Sequence, residues 1–415
     1  MTLRNTAARY GNPSKLFHWA TALGIAIMIP LGLIAHNLPA STDPQIATKT
    51  WLFSLHKTVG VTVFAIALLR IMWALTQTKP DALHPNRRFE HAAADTVHWV
   101  LYGALVLVPL SGWVQHAAAD GFAPIWWPFG QDLPFVPKST TLAMGAATAH
   151  GILNLVLGGA LALHVAGALK HHIIDKDATL RRMLPGHIPG HTHDTAATPH
   201  TRPTRTWPPI AAALVIWSVA IGFSIAQTLR APQTAPALTQ VASEWQVDTG
   251  EVGLTIRQMG AEVTGRFADW TAAISFAERQ PPEQADPIQA GHVDVTIAIG
   301  SLSLGSVTDM ALGGDYLDVT GFPVARFTGP ILRSAQGDYY VEGTLSLRGG
   351  DVALPLPFDI AITQTERGPQ ATVTGSVTLD RMAFGIGAGV TDTNQLAHEV
   401  IVTLALTATA APTSP

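Results

Sequence analysis

The sequence predicts a mixed architecture: an all-α bundle of four membrane-crossing helices plus one extra transmembrane helix, followed by an all-β antiparallel barrel. Three observations carry that expectation. Five long apolar segments occupy the first 230 residues, period-two alternation dominates the remainder, and the charge changes sign between the two parts.

Over 415 residues, hydrophobic side chains make up 47% and charged ones only 13%, about half the usual share of a soluble protein. Residues 1–230 hold 17 Lys+Arg and 9 Asp+Glu, whereas residues 231–415 hold 8 and 20, with no lysine. A cationic membrane part is thus joined to an acidic soluble part. Nucleic acid is not an expected partner: the acidic half repels phosphates, and the basic residues of the first half gather at membrane edges. Cysteine is absent, which excludes disulfides, thiolate-bound zinc, iron–sulfur clusters and covalently attached haem.

The apolar segments run over roughly 17–38, 52–75, 96–116, 141–170 and 208–229, each long enough to span a bilayer. Arg4, Arg9, Lys15, Lys79, Arg87, Arg88, Lys170, Lys176, Arg181, Arg182, Arg202 and Arg205 fall on one side of them. Only Lys49, Lys138 and Arg230 fall on the other. That asymmetry places the N-terminus in the cytoplasm and everything after Arg230 outside, in a multi-pass membrane protein. Leu38-Pro39-Ala40-Ser41 would suit signal cleavage, but the first apolar stretch exceeds a typical signal core, and a retained helix is expected.

The boundaries that follow are a membrane domain over 1–184, a cytoplasmic linker over 185–207 and a fifth crossing helix over 208–229. A second linker over 230–242 leads to a β-domain over 243–410. The first linker is rich in Pro, Thr and His and includes His187, His191, His193 and His200. Without a carboxylate-and-thiol framework these histidines are expected to be solvated rather than metal-bound. In the β-domain, Val352, Leu354, Leu356, Phe358, Ile360 and Ile362 alternate with smaller or more polar residues. Val293–Ile299 and Val400–Leu406 do the same. Turn residues such as Gly313-Gly314-Asp315 and Gly337-Asp338 separate these runs. Six to eight antiparallel strands, as a sandwich or closed barrel, are implied.

Histidine inside hydrocarbon is costly unless partnered. His18 stands at the entrance of the first segment and His56 near that of the second; His150 and His164 share the fourth. Fourteen residues bring His164 to within about 40° of His150's helical face, about 21 Å along the axis. One helix therefore offers two ligands at two depths, to pair with His56 and with His18. That geometry suits two haems stacked in a four-helix bundle, each with both axial positions filled by imidazole. Gly145, Gly151, Gly158, Gly159 and Gly167 on the same helix would leave room for a flat macrocycle, or serve close helix packing. His36, His98 and His116 fall near segment ends, where interfacial, non-ligand roles are expected.

Residues 10–185 resemble the bacterial cytochrome b561 family of dihaem membrane proteins. The stretch LHVAGALKHHIIDKDATLRRMLP and the His18-Trp19 motif carry the resemblance. It implies that His18, His56, His150 and His164 ligate the iron of two haems b, and that electrons are exchanged with a quinone such as ubiquinone. Some members are superoxide:ubiquinone oxidoreductases. Six-coordinate iron has no open site for dioxygen, so the haems would relay electrons. His171, seven residues beyond His164, and His172 are the candidate acid–base catalytic groups for quinone. Lys57 and Arg70 are candidate partners of haem propionates.

Residues 243–410 resemble the YceI-like family of lipocalin-like proteins through VGLTIRQMG, VTGRFADW, FPVARF, GTLSLRG and DRMAFGI. Gln258 stands where many relatives have histidine, and the region Leu304–Asp315 is shortened. The resemblance implies an isoprenoid lipid inside the barrel, with Phe267, Trp270, Phe327, Phe358 and Phe384 as candidate lining. Tethering would raise the local concentration of quinone beside the cytochrome. Two other readings compete: an anchored lipid-binding protein whose haem domain is a redox sensor or anchor, and a transmembrane reductase for metal or another, unidentified periplasmic redox partner.

Overall fold

The computed structural model describes residues 3–411 apart from 8, 82, 85, 120–122, 185–206, 231–237, 240, 278–286 and 367. The linker histidines His187, His191, His193 and His200 therefore lie outside the described residues.

Five helices are long and apolar enough to cross a membrane: α1 Asn12–Asn37, α2 Asp43–Leu75, α3 Arg88–Ala117, α4 Thr140–Ile173 and α5 Trp207–Arg230. Each matches an apolar segment, but α2 and α3 start eight or nine residues earlier than hydropathy indicated. Hydropathy measures the hydrocarbon-length part of a helix, and these first turns are polar yet helical, with Pro44 preset for the opening turn of α2. Helices α3 and α4 pack through Val100, Ala104, Leu105 and Val108 against Leu153, Leu157 and Ala160, and α5 adds Ala213, Trp217 and Ala220. Trp217 lies directly over Gly103, closer than any side chain there would permit. The fifth helix is thus seated on the α3–α4 face.

The second part is one ten-stranded antiparallel sheet in the order β3-β4-β6-β7-β8-β9-β10-β1-β2-β5. Its long strands are β1 Trp245–Gln258, β4 Ile288–Ala298, β6 Val324–Arg333, β7 Tyr339–Leu347, β8 Gly350–Thr365, β9 Gly368–Asp380 and β10 Leu396–Ala410. The strands beyond the expected number are short: β2 Ala261–Phe267, β3 Trp270–Phe276 and the two-residue β5 Leu302–Ser303. Burial alternates along β8 with Val352, Leu354, Leu356, Phe358, Ile360 and Ile362 on the inner face, as the pattern required. The sheet rolls up without a closing backbone ladder. Side chains bridge the seam instead: Ser243 Oγ donates to the Ile274 carbonyl (2.9 Å) and accepts from the Ile274 N–H (2.6 Å), and Trp245 Nε1 donates to the Phe276 carbonyl (2.9 Å). A short helix, α6 Thr308–Leu312, crosses one barrel end. Five residues are too few to leave a helical period in the sequence.

That barrel end rests on the α1–α2 connection. Tyr316 Oη donates to the Ala40 carbonyl (2.7 Å), and Ser41 bonds Asp315. The Asp43 carboxylate accepts from the Thr391 hydroxyl (3.0 Å) and from the Thr391 and Asp392 N–H groups (3.1 Å each). Ala40 and Ile46 are buried among barrel core residues. Gly389 meets the Ser41 carbonyl where a Cβ would clash. A Gly389→Val chain should therefore lose the docking contact. The expected result is faster amide exchange over residues 40–46 with the exchange of β7 to β9 unchanged.

Candidate functional site

Helix α1 carries His18, α2 carries His56, and α4 carries both His150 and His164. The connection docked to the barrel fixes which ends of the helices face it. His56 and His150 lie toward the barrel side, His18 and His164 toward the far side. The His56 and His150 ring centroids are 6.5 Å apart, and those of His18 and His164 are 6.0 Å apart. A metal–imidazole bond of about 2 Å, with about 1 Å more to each ring centre, puts two imidazoles on opposite sides of one ion about 6 Å apart. Both pairs have that spacing.

The groups around the barrel-side pair are arranged as metal-ligating histidines require. His150 Nδ1–H donates to the Val108 carbonyl (2.9 Å), with the Ser111 hydroxyl at 3.2 Å. That bond fixes the neutral tautomer and leaves the Nε2 lone pair available to a metal. The His56 ring faces the Met28 backbone, which accepts a hydrogen bond from it. Two glycines make room for these rings: a Cβ on Gly112 would stand 3.0 Å from His150, and one on Gly32 would stand 2.9 Å from His56. Neither glycine attracted notice in the sequence, because a glycine's purpose depends on its neighbour across the bundle. A Cβ on Gly151, Gly158, Gly159 or Gly167 would meet nothing within 4 Å, so those four do not serve helix packing; Gly145 lies near Thr228.

The barrel encloses two adjoining apolar cavities of about 150 and 170 Å3. Val252, Ile297, Leu345, Leu379 and Val402 line both, so the two form one channel. Phe327 and Phe358 line the first and Phe267 the second. Trp270 instead packs over Gly250 beside the seam, and Phe384 packs in the core near Gly350. Sequence reasoning missed Trp245 and Phe276, which line the first cavity.

Comparison with known proteins bears on both parts of the chain. A family model for prokaryotic cytochrome b561 matches residues 9–186. Cytochrome b561 homolog 2 of Escherichia coli K12 is 32% identical over 197 residues, spanning 44% of this chain and 95% of that protein. The chain belongs to the prokaryotic cytochrome b561 family. The probable superoxide oxidase CybB of Yersinia pestis is 25% identical over 169 residues, 40% of this chain and 91% of that protein. A YceI-like domain model matches residues 245–408. BcnA of Burkholderia cenocepacia is a solved structure 29% identical to this chain, covering 40% of it and 100% of BcnA, with a TM-score of 0.34. The chain is therefore a multi-pass cytochrome b561 membrane domain fused to a YceI-like domain, and its family implies b-type haem. The paired imidazoles, the Val108-bound tautomer and the room that Gly32 and Gly112 leave for the rings fit that group.

Two cations adjoin the cytochrome's histidines. Arg70 Nη2 lies 3.3 Å from His18 Nδ1, with its guanidinium 5.7 Å from the Tyr102 ring centre. Lys57 is buried, and its ammonium donates to the Ala123 carbonyl (2.5 Å). His36 is exposed, as expected of an interfacial residue, whereas His116, in the last turn of α3, is enclosed near His56, Lys57 and His150 rather than facing water. His98 departs from the expectation too. Because α3 begins at Arg88, His98 lies about three turns inside the helix, with its ring centroid 5.2 Å from that of His164.

At the far-side end of α4, His171 Nδ1 lies 2.7 Å from an Asp177 oxygen that His84 Nε2 also approaches (3.1 Å), and the two imidazoles stack. Lys170 and Arg87 pair with Asp175 and Glu90 beside them, while His172 is exposed. Glu90, His171 and Asp175 converge closely enough for a metal ion, but the two cations already neutralise these carboxylates. Partial burial pushes the Asp177 carboxyl up. Hydrogen bonds from Thr179 and His171 outweigh it and hold the carboxyl at about 2. A depressed carboxylate contributes stability above its unfolded value of about 3.9, and loses that contribution as pH falls through the folded value. Thermal unfolding of Asp177→Asn should accordingly fall below the unmutated protein at pH 5, with the gap closing between pH 4 and about 2.

Proposed function

We propose that this cytochrome b561 carries electrons between a periplasmic donor and the quinone pool of a bacterial inner membrane. In this reading it binds two haems b, one between His56 and His150 and one between His18 and His164. The N-terminus is cytoplasmic and the YceI-like domain periplasmic, following the lysine and arginine asymmetry. The observation that carries the reading is the coincidence of two imidazole pairs at matching separations and two depths on one shared helix.

Haem supplies a one-electron couple when bound. The protein's own residues do the rest. His18, His56, His150 and His164 would hold the haems in pairs, and iron held by two imidazoles would have no open site for dioxygen, which favours relay over substrate binding. His171, oriented by Asp177, and the exposed His172 move protons to and from quinone at the cytoplasmic surface. Arg70 and Lys57 bring positive charge beside the two sites, where they balance the propionates. Superoxide, which the Yersinia pestis relative's name specifies, is the proposed donor class. The YceI-like barrel holds an isoprenoid-tailed lipid in its apolar channel and keeps it near the membrane domain.

Stopped-flow mixing tests this function. Dithionite-reduced protein in proteoliposomes should reoxidise on mixing with ubiquinone, more slowly after His171→Ala. Reoxidation by ferric chelate while ubiquinone leaves the spectrum unchanged would overturn the quinone reading in favour of a metal reductase.

A further inference from the structure

The second barrel cavity, nearest the membrane domain, has a wall that is apolar except for Gln258, Tyr316 and Arg381. Two of these three are committed. Tyr316 Oη donates to the Ala40 carbonyl, and the Arg381 guanidinium donates to the carbonyls of Ala397, Ile386, Gly387, Val390 and Leu396. Gln258 is 4% exposed and follows Leu254 and Ile256 on the inward face of β1. Its backbone is paired with Ala261 and Leu396. Its side-chain amide has no hydrogen-bond partner among the described residues. A buried amide left unpaired is costly, and it favours a ligand that brings an oxygen to it.

The charge of that ligand can be read from the same wall. A phosphate or pyrophosphate head needs cations, and Arg381, the one charged residue lining either cavity, is spent on carbonyls. A neutral oxygen-bearing head fits. The adjoining first cavity, lined by Trp245, Phe276 and Phe358 with no polar residue apart from the indole, fits a hydrocarbon tail. We infer that Gln258 anchors the carbonyl or hydroxyl oxygen of an uncharged, long-tailed lipid at the barrel end resting on the membrane domain, with the tail running toward Trp245. This rests on the lipid-binding reading of the barrel. It adds the head-group class, neutral rather than phosphorylated, and the direction in which the ligand lies.

The test uses the full-length chain with haem bound and three probes: ubiquinone, squalene (an isoprenoid hydrocarbon without oxygen) and undecaprenyl phosphate. The amount of each retained after gel filtration is quantified by mass spectrometry. The unmutated protein should retain ubiquinone about tenfold better than squalene, the scale of one satisfied buried amide, and should retain the phosphate least. Gln258→Met, matched in volume, should bring ubiquinone and squalene to equal retention, while Gln258→His should keep a preference for ubiquinone. Unchanged urea unfolding followed by tryptophan fluorescence reports that the barrel of each variant is folded. A Met variant that keeps the full preference, or phosphate as the best-retained probe, would overturn the inference and leave lipid binding standing. Retention of no probe by the unmutated protein would remove lipid binding itself, and the anchor with it.

Discussion

Replacing His150 with alanine should remove one haem and leave the other, and replacing His164 should remove the opposite one. Each variant is expected to retain about half the haem of the unmutated protein, and the double variant almost none, because His150 and His164 each supply one partner of a pair on a single helix. The two half-occupied proteins should differ. His150 pairs with His56 near the barrel, where the Val108 carbonyl and Gly112 fix its ring. His164 pairs with His18 beside Arg70, and Lys57 stands beside His56. The haem that survives in each variant should therefore titrate as a single component at its own potential. A redox titration of both variants, followed at the α-band, checks this. Equal loss of both haems in either variant would show that the pairs are not independent.

The second large effect concerns Arg381. Its side chain is 1% exposed and donates to carbonyls of Ala397, Ile386, Gly387, Val390 and Leu396. It thereby closes the segment between the 3-10 turn Arg381–Phe384 and β10, which also carries the Thr391–Asp392 contacts to Asp43. Arg381→Met keeps most of the volume but strands several buried carbonyls. A loss of roughly 3–5 kcal/mol in barrel stability follows. Urea unfolding followed by tryptophan fluorescence should show it, with the haem spectrum unaffected. Lysine offers one point charge in place of a five-donor fork and should recover only a small part of the loss.

What could be read from the sequence follows a physical divide. Periodic signals survived: the fourteen-residue interval between His150 and His164, the alternation along β8, and five apolar stretches of bilayer length. Each is a local repeat, visible without knowing what lies opposite. Features that depend on a distant neighbour were not visible. Gly32 and Gly112 matter only because imidazoles from other helices press on them. The Tyr316–Ala40 bond joins positions far apart in the chain. The barrel seam is bridged by Ser243 and Trp245 just where the strand pattern begins. His98 was set at a membrane edge because the polar first turns of α3 do not register in hydropathy. Gln258 was noticed as a departure from related sequences, but its burial in the channel wall required the register of β1. Trp270 and Phe384 looked like the other aromatics, and only packing separates them from the lining.

The central claim is that the four histidines hold two six-coordinate haems. Pyridine haemochromogen analysis of the purified protein, paired with electron paramagnetic resonance of its oxidised form, tests it most directly. Two haems b per chain, both low-spin, are predicted; one haem per chain, or a dominant high-spin signal from iron lacking a second imidazole, would contradict it.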